Sequence, residues 1–247
     1  MSTALLVLIA ALWGAAAGAL LPKAAYRFSV PEEQGWREAC PGGHAIGGRF
    51  GGWLGRARCG QCAPRSSYGP GAPMLATVTA LVCAALAAAT DTRPELGVWL
   101  LLAPVGVLLT VVDFRVRRLP NPLTLTLAGA ALALLGLVAL VPEHAGDWPT
   151  ALWATLALGA GYYVLYRINP GGMGFGDVKL ALGAGAVLGW YGWSTVMLGT
   201  FAGFLSGALY GWALVLLRRA GRRTAIPFGP FLIGGAFVGL LIGAYAA

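Results

Sequence analysis

Charge is what this sequence lacks. Asp, Glu, Lys and Arg together make up 11% of its 247 residues, and only nine of those are acidic. An ordinary water-soluble domain carries about a quarter of its residues charged, so that class is excluded. No internal repeat and no long low-complexity tail are present, which leaves no repeat architecture to consider. The glycine-rich stretch 171–176 is not followed by Lys-Ser or Lys-Thr at phosphate-loop spacing, and no strand precedes it, so a nucleotide-cradling reading fails. The first apolar segment lacks the basic start of a secretory signal. Residues 1–4 hold no Lys or Arg while Lys23 and Arg27 follow, so despite Ala15, Ala16 and Ala17 the segment is expected to be a retained span.

What is present is apolar. Hydrophobic residues reach 58%, the chain also holds 38 glycines, and mean hydropathy is +0.74. A bilayer core needs roughly 20 apolar residues per helix, and such stretches fall at about 4–21, 74–90, 96–112, 122–141, 150–166, 178–191, 194–217 and 226–246. The expected fold is an all-α membrane protein of about eight transmembrane helices. It divides into a first helix (1–21), a polar loop region (22–73) and a seven-helix membrane domain (74–247). The segment 178–191 is the least certain by hydropathy, being short with Lys179 near its start, and charge placement decides for it. With eight crossings one side receives Lys23, Arg27, Arg37, Arg49, Arg56, Arg58, Arg65, Arg115, Arg117, Arg118, Arg167, Lys179, Arg218, Arg219, Arg222 and Arg223. The other side receives only Arg93. The positive-inside rule makes the first side cytoplasmic and puts both termini outside. The net charge of +8 is then an orientation signal in short joints, not a nucleic-acid surface. Gly199, Gly203, Gly207 and Gly211, spaced by four, read as a close-packing stripe.

Nine acids can be sorted singly. Glu32, Glu33 and Glu38 lie in the first loop, and Asp91, Glu95, Glu143 and Asp147 lie in the two outer joints. Asp113 ends the third span and Asp177 opens the sixth, so both fall at the cytoplasmic boundary. Alone, Asp177 reads equally as a helix N-cap, and Asp113 as an interfacial acid balanced by Arg115, Arg117 or Arg118. Together they suit aspartic proteolysis: two carboxylates sharing a water hold one proton between them, the ionised one deprotonating the water and the other donating to the peptide carbonyl. The glycines around Asp177, Gly174 and Gly176 among them, would be poor helix and would leave backbone groups to hold an extended substrate.

Three segments resemble the type IV prepilin peptidase family of integral-membrane aspartic proteases. They are Asp113 with Arg118-Leu119-Pro120-Asn121, then Gly172-Met173-Gly174-Phe175-Gly176-Asp177-Val178-Lys179-Leu180, then Ile226-Pro227-Phe228-Gly229-Pro230-Phe231-Leu232. The resemblance covers about 75–247. It implies that Asp113 and Asp177 are catalytic and that the substrates are prepilins or pseudopilins. These would be cut at the cytoplasmic face of a bacterial inner membrane, between a basic leader and an apolar helix. Many relatives carry two Cys-x-x-Cys pairs in the first loop. Here Cys59 and Cys62 form one pair, Gly43 stands where the partner of Cys40 would be, and His44 is the nearest replacement, so Cys40, His44, Cys59 and Cys62 are the candidate zinc ligands. Many relatives also methylate the new N-terminus with S-adenosylmethionine. This chain keeps Tyr26-Arg27 but has Pro22 where relatives usually have Asn, and it lacks their Asp-Asn-Ile-Pro after the first cysteine.

Two rival readings stand beside the peptidase. A transporter or channel could use Asp113 and Asp177 as a proton relay, although such sites usually lie near the midplane between inverted repeats and these spans carry no central charge. A catalytically silent assembly factor is the third, against which the presence of both aspartates counts.

Overall fold

The computed structural model describes residues 2–31, 34–62, 67–217 and 226–247. The sorted charges Glu32, Glu33, Arg65, Arg218, Arg219, Arg222 and Arg223 lie outside the described residues. The helical elements are α1 (Thr3–Leu20), α2 (Pro22–Phe28), the single turn α3 (Arg49–Gly52), α4 (Ala72–Thr90), α5 (Glu95–Val116), α6 (Asn121–Val138), α7 (Trp148–Ile168), α8 (Phe175–Gly189), α9 (Trp193–Leu216) and α10 (Gly229–Ala246). Among the described residues, two isolated bridges, Ala39 with Ala45 and Arg58 with Ser67, are the extended pairings.

All eight predicted spans are helices, and the protein is an all-α, multi-pass membrane protein. Among the described residues six of them, α1, α4, α5, α6, α9 and α10, are long and apolar enough to cross a bilayer. The other two are α7 and α8. The α7 sequence carries Tyr162, Tyr163, Tyr166 and Arg167, and α8 has only 15 residues. Proline in the first turn starts α4, α6, α7 and α10, where its missing N–H costs nothing. Asp147 caps α7 by accepting from the Thr150 N–H at 2.8 Å.

The chain forms two compact units. The first comprises 1–92 and 99–118. In it α1 and α4 pack antiparallel through α1 glycines: a Cβ on Gly18 would sit 2.4 Å from the Leu75 carbonyl oxygen, and one on Gly14 2.5 Å from that of Thr79. The polar loop folds onto the end of α1. The Arg27 guanidinium lies 3.9 Å from the centre of the Trp53 ring and donates to the Gly51 carbonyl at 2.8 Å, Arg37 covers Tyr26, and Phe28 meets both Trp36 and Trp53. Arg118, after α5, donates to the carbonyls of Val30 and Pro31. Several charges that sequence reasoning used for orientation are thus also structural donors inside the loop.

The second unit comprises 93–98 and 119–247, and α8 is its central helix, touching α6, α7, α9 and α10. This explains why hydropathy is weak there. A helix surrounded by helices needs small residues for close approach rather than large ones for lipid. Ten of its residues are buried, among them Ala181, Gly183, Ala184, Gly185, Ala186 and Gly189. A Cβ on Gly185 would meet the Ala154 carbonyl oxygen at 2.5 Å, and one on Gly183 would meet Leu127 at 2.4 Å. The α9 stripe is also packing. Gly199 and Gly203 are buried against α10, where a Cβ on Gly235 would lie 2.4 Å from the Gly199 oxygen. We expect Gly235→Leu to lower the thermal unfolding midpoint in detergent, as overpacking costs about 1–3 kcal/mol. Gly234→Leu, one position along with open space around it, is expected to leave the midpoint unchanged; equal effects would remove the packing explanation.

Candidate active site and metal centre

Asp177 is not the N-cap that its place before a helix suggested. The helix begins at Phe175, Gly174 is the capping residue, and Asp177 stands in the first turn of α8. Its carboxylate turns back to accept the Gly174 N–H at 3.1 Å, while its own N–H donates to the Gly174 carbonyl at 3.0 Å. Glycine has no side chain to complete a capping box, so the carboxylate makes the one side-chain bond of this turn. The expected poor helix is therefore confined to 169–174. Gly176 is already helical, and Gly174 has both backbone groups engaged with Asp177. Gly176 has a packing reason to be glycine: a Cβ there would lie 2.9 Å from the Cβ of Leu119.

The segment before α6 fixes this turn from a second direction. The Lys179 ammonium donates to the Asn121 side-chain oxygen at 2.7 Å and lies 4.6 Å from the centre of the Phe175 ring. Leu119 and Asn121 thus hold Gly176 and Lys179, which brings together two of the sequence segments singled out above. The third enters through Phe228, whose ring lies 6.1 Å from Tyr162 and 5.1 Å from Phe204. Sequence reasoning passed over Tyr162. It is 2% exposed, its hydroxyl has no hydrogen-bond partner among the described residues, and Asp177 lies within electrostatic range of it. The signal for it was three tyrosines clustered in one apolar span.

Asp177 is 6% exposed and Asp113 4%. Asp113 belongs to the last turn of α5, where its carbonyl accepts from the Arg117 N–H at 2.8 Å. A third acid is buried as well. Glu95, sorted into an outer joint, is the first residue of α5, fully buried, and accepts from the Tyr191 hydroxyl at 3.2 Å. It lies at the opposite end of α5 from Asp113, about 27 Å along at 1.5 Å per residue, and so cannot share chemistry with it.

Comparison with known proteins decides the family. Residues 100–212 match the type IV leader peptidase family. The "Prepilin leader peptidase/N-methyltransferase" of Escherichia coli (strain K12) is 32% identical over 176 residues, covering 68% of this chain and 72% of the relative. The chain belongs to this family. Its relative of the same description from Aeromonas salmonicida is 35% identical over 202 residues, 77% of this chain and 64% of the relative, so the chain spans just under two thirds of that protein. "Leader peptidase HopD" of Salmonella typhimurium is 32% identical over 142 residues, 55% of this chain and 86% of the relative. No solved structure matches this chain. Both aspartates fall within the matched segment, whereas the cysteines precede it.

The loop brings its four candidate ligands together. The Sγ atoms of Cys40, Cys59 and Cys62 and a ring nitrogen of His44 all lie within 4.8 Å of one another. Cys40 and Cys62 sulfurs are 3.7 Å apart, and His44 Nδ1 is 3.6, 3.6 and 3.4 Å from the sulfurs of Cys40, Cys59 and Cys62. Tetrahedral zinc at about 2.3 Å from sulfur sets neighbouring sulfurs about 3.8 Å apart, so the donor set fits a metal such as zinc. The N–H groups of Gln61, first, and Cys62 hold the Cys59 thiol down to about 7 against desolvation, which favours the thiolate that a metal requires. The missing cysteine is explained by the turn. Gly43 has φ +80, and a Cβ on Gly42 would sit 2.8 Å from the Cys62 sulfur. This tight Cys-x₃-His turn, closed by the Gly43 N–H to the Cys40 carbonyl and the Cys40 N–H to the His44 carbonyl, delivers His44 where a second cysteine would otherwise serve.

Proposed function

We propose that this chain is an integral-membrane aspartic endopeptidase that removes the leader of type IV prepilins or pseudopilins, with Asp113 and Asp177 as its catalytic carboxylates. The observation that carries the reading is the burial of both acids at helix ends of a charge-poor protein that belongs to the leader peptidase family. Family membership favours this over a proton relay. One carboxylate in its ionised form takes a proton from water as it attacks the scissile carbonyl, and its protonated partner donates to the carbonyl oxygen. The pair titrates jointly, and its apparent values belong to the pair. Gly174 and Gly176 shape the turn that holds Asp177, and Lys179 with Asn121 fixes that turn. The charge distribution orients the site to the cytoplasmic face of a bacterial inner membrane with both termini outside. The deciding experiment co-expresses a prepilin with the wild type or with either Asp→Asn variant and follows gel mobility and intact mass of the product. Methyl transfer is read in the same spectrum, as the mass of one methyl group on the mature N-terminus. S-adenosylmethionine is implied only if that mass appears.

For the metal centre we propose structural zinc held by Cys40, His44, Cys59 and Cys62. The ion cross-links the 40–44 turn to the 59–62 turn and takes no part in hydrolysis. Metal analysis of purified protein should give one zinc per chain. His44→Ala and Cys59→Ser are each expected to lower zinc content to below about a tenth at micromolar free zinc, since removing one ligand from a four-ligand site costs most of its affinity. Proteolysis within 22–73 should then quicken while the membrane helices stay folded. Unchanged zinc content in both variants would reject this ligand set.

A further inference from the structure

The end of α1 and the start of α4 lie side by side, because antiparallel packing sets Gly18 against Leu75. As both helices are membrane spans, this edge lies at the headgroup level of one leaflet. A cavity of about 280 Å³ opens there, lined among others by Ala19 of α1, Arg56, Arg58 and Ser67 of the loop, and Gly71 and Ala72 at the start of α4.

The local backbone explains why two arginines meet in it. Ala57 is buried while Arg56 and Arg58 are exposed, and a tight turn in which the Arg58 N–H donates to the Arg56 carbonyl at 2.9 Å leaves both arginines lining the cavity. The segment is pinned in that register. The Ala57 carbonyl accepts from the Tyr68 N–H at 3.0 Å and from the Ser67 hydroxyl at 3.2 Å, and Arg58 bridges to Ser67. Among the described residues neither guanidinium has a hydrogen-bond or ionic partner, and no Asp or Glu lines the cavity. The start of α4 adds charge of the same sign. Gly71 cannot cap α4 with a side chain and the first turn holds no acid, so the free N–H groups and positive end of a 19-residue helix are uncompensated.

We propose that this cavity binds a phosphate group, supplied at headgroup depth by an anionic phospholipid. Two forked guanidiniums suit phosphate oxygens, the helix start suits a negative charge, and the adjoining apolar surfaces of α1 and α4 continue toward the acyl chains. Neither aspartate lines the cavity, and the proposal does not depend on the peptidase reading.

The test uses the purified full-length chain in a neutral detergent, with native mass spectrometry and thermal unfolding as readouts. Phosphatidylglycerol, phosphatidylcholine and inorganic phosphate are added separately to the wild type, to R56Q/R58Q and to the reference R117Q/R167Q, which loses the same charge elsewhere. The expected result is preferential retention of phosphatidylglycerol over phosphatidylcholine, weakened about tenfold or more in R56Q/R58Q and kept in the reference. R56K/R58K should retain an intermediate preference, and unfolding midpoints without lipid should agree among variants. A midpoint shift with inorganic phosphate that is lost in R56Q/R58Q, without a lipid preference, would support the site with soluble phosphate as its ligand. If no addition discriminates R56Q/R58Q from the reference, the proposal is overturned.

Discussion

Asp113→Asn and Asp177→Asn are each expected to lower prepilin cleavage by about 10³-fold or more, equivalent to about 4 kcal/mol of barrier, with no loss of folded protein. The substitution is chosen for what it keeps. At 177 the amide oxygen can still accept the Gly174 N–H that the carboxylate accepts at 3.1 Å, so the α8 turn survives while the ionisable group is gone. Glu95→Gln is the control. It alters an equally buried acid at the far end of α5, keeps an acceptor for the Tyr191 hydroxyl, and should leave cleavage intact. Initial rates on a co-purified prepilin, with unfolding midpoints alongside, separate chemistry from folding. Processing by both Asp→Asn variants at the wild-type rate would end the aspartic assignment.

Gly176→Ala should cost about 10²-fold in the same assay, although it adds a single methyl group and touches neither aspartate. A Cβ at 176 would lie 2.9 Å from the Leu119 Cβ, an atom tied to its own backbone, so the start of α8 rather than a side-chain tip must yield. Asp177 follows directly, and a displacement of about 1 Å at a reacting group is enough for a loss of that size. Leu119→Gly in the Gly176→Ala background removes the opposing Cβ and should recover part of the rate, which a simple loss of helix propensity would not predict. Measured as a double-mutant cycle, the two changes should couple. Strict additivity would show that Leu119 does not position the turn.

Much of this protein was legible in one dimension. Apolar stretches located the long helices, with charge placement deciding for the short α8, since a membrane leaves the backbone no other way to satisfy its hydrogen bonds in a single segment. Scarcity made the acids informative, because each of nine could be assigned a place. What scarcity could not give was burial. Glu95 reads as a joint residue and is fully buried, since the chain enters α5 through the second unit, where Tyr191 waits for it. Position alone also misjudged Asp177, whose place before a helix is compatible with capping from outside or from within the first turn. The bond to Gly174 decides that, and it depends on side-chain direction, which spacing does not encode.

The opening scarcity of charge determined the solvent, the class of fold and the short list of acids. Tertiary structure decided what the remaining polar groups do. It set Lys179 on Asn121 and Leu119 against Gly176, gathered three cysteines and His44 into one metal-sized cluster, and turned Arg56 and Arg58 into a common cavity. The reason is physical. Hydropathy sums over residues and survives without coordinates, whereas coordination, capping and charge convergence depend on distances of a few ångströms between residues far apart in the chain.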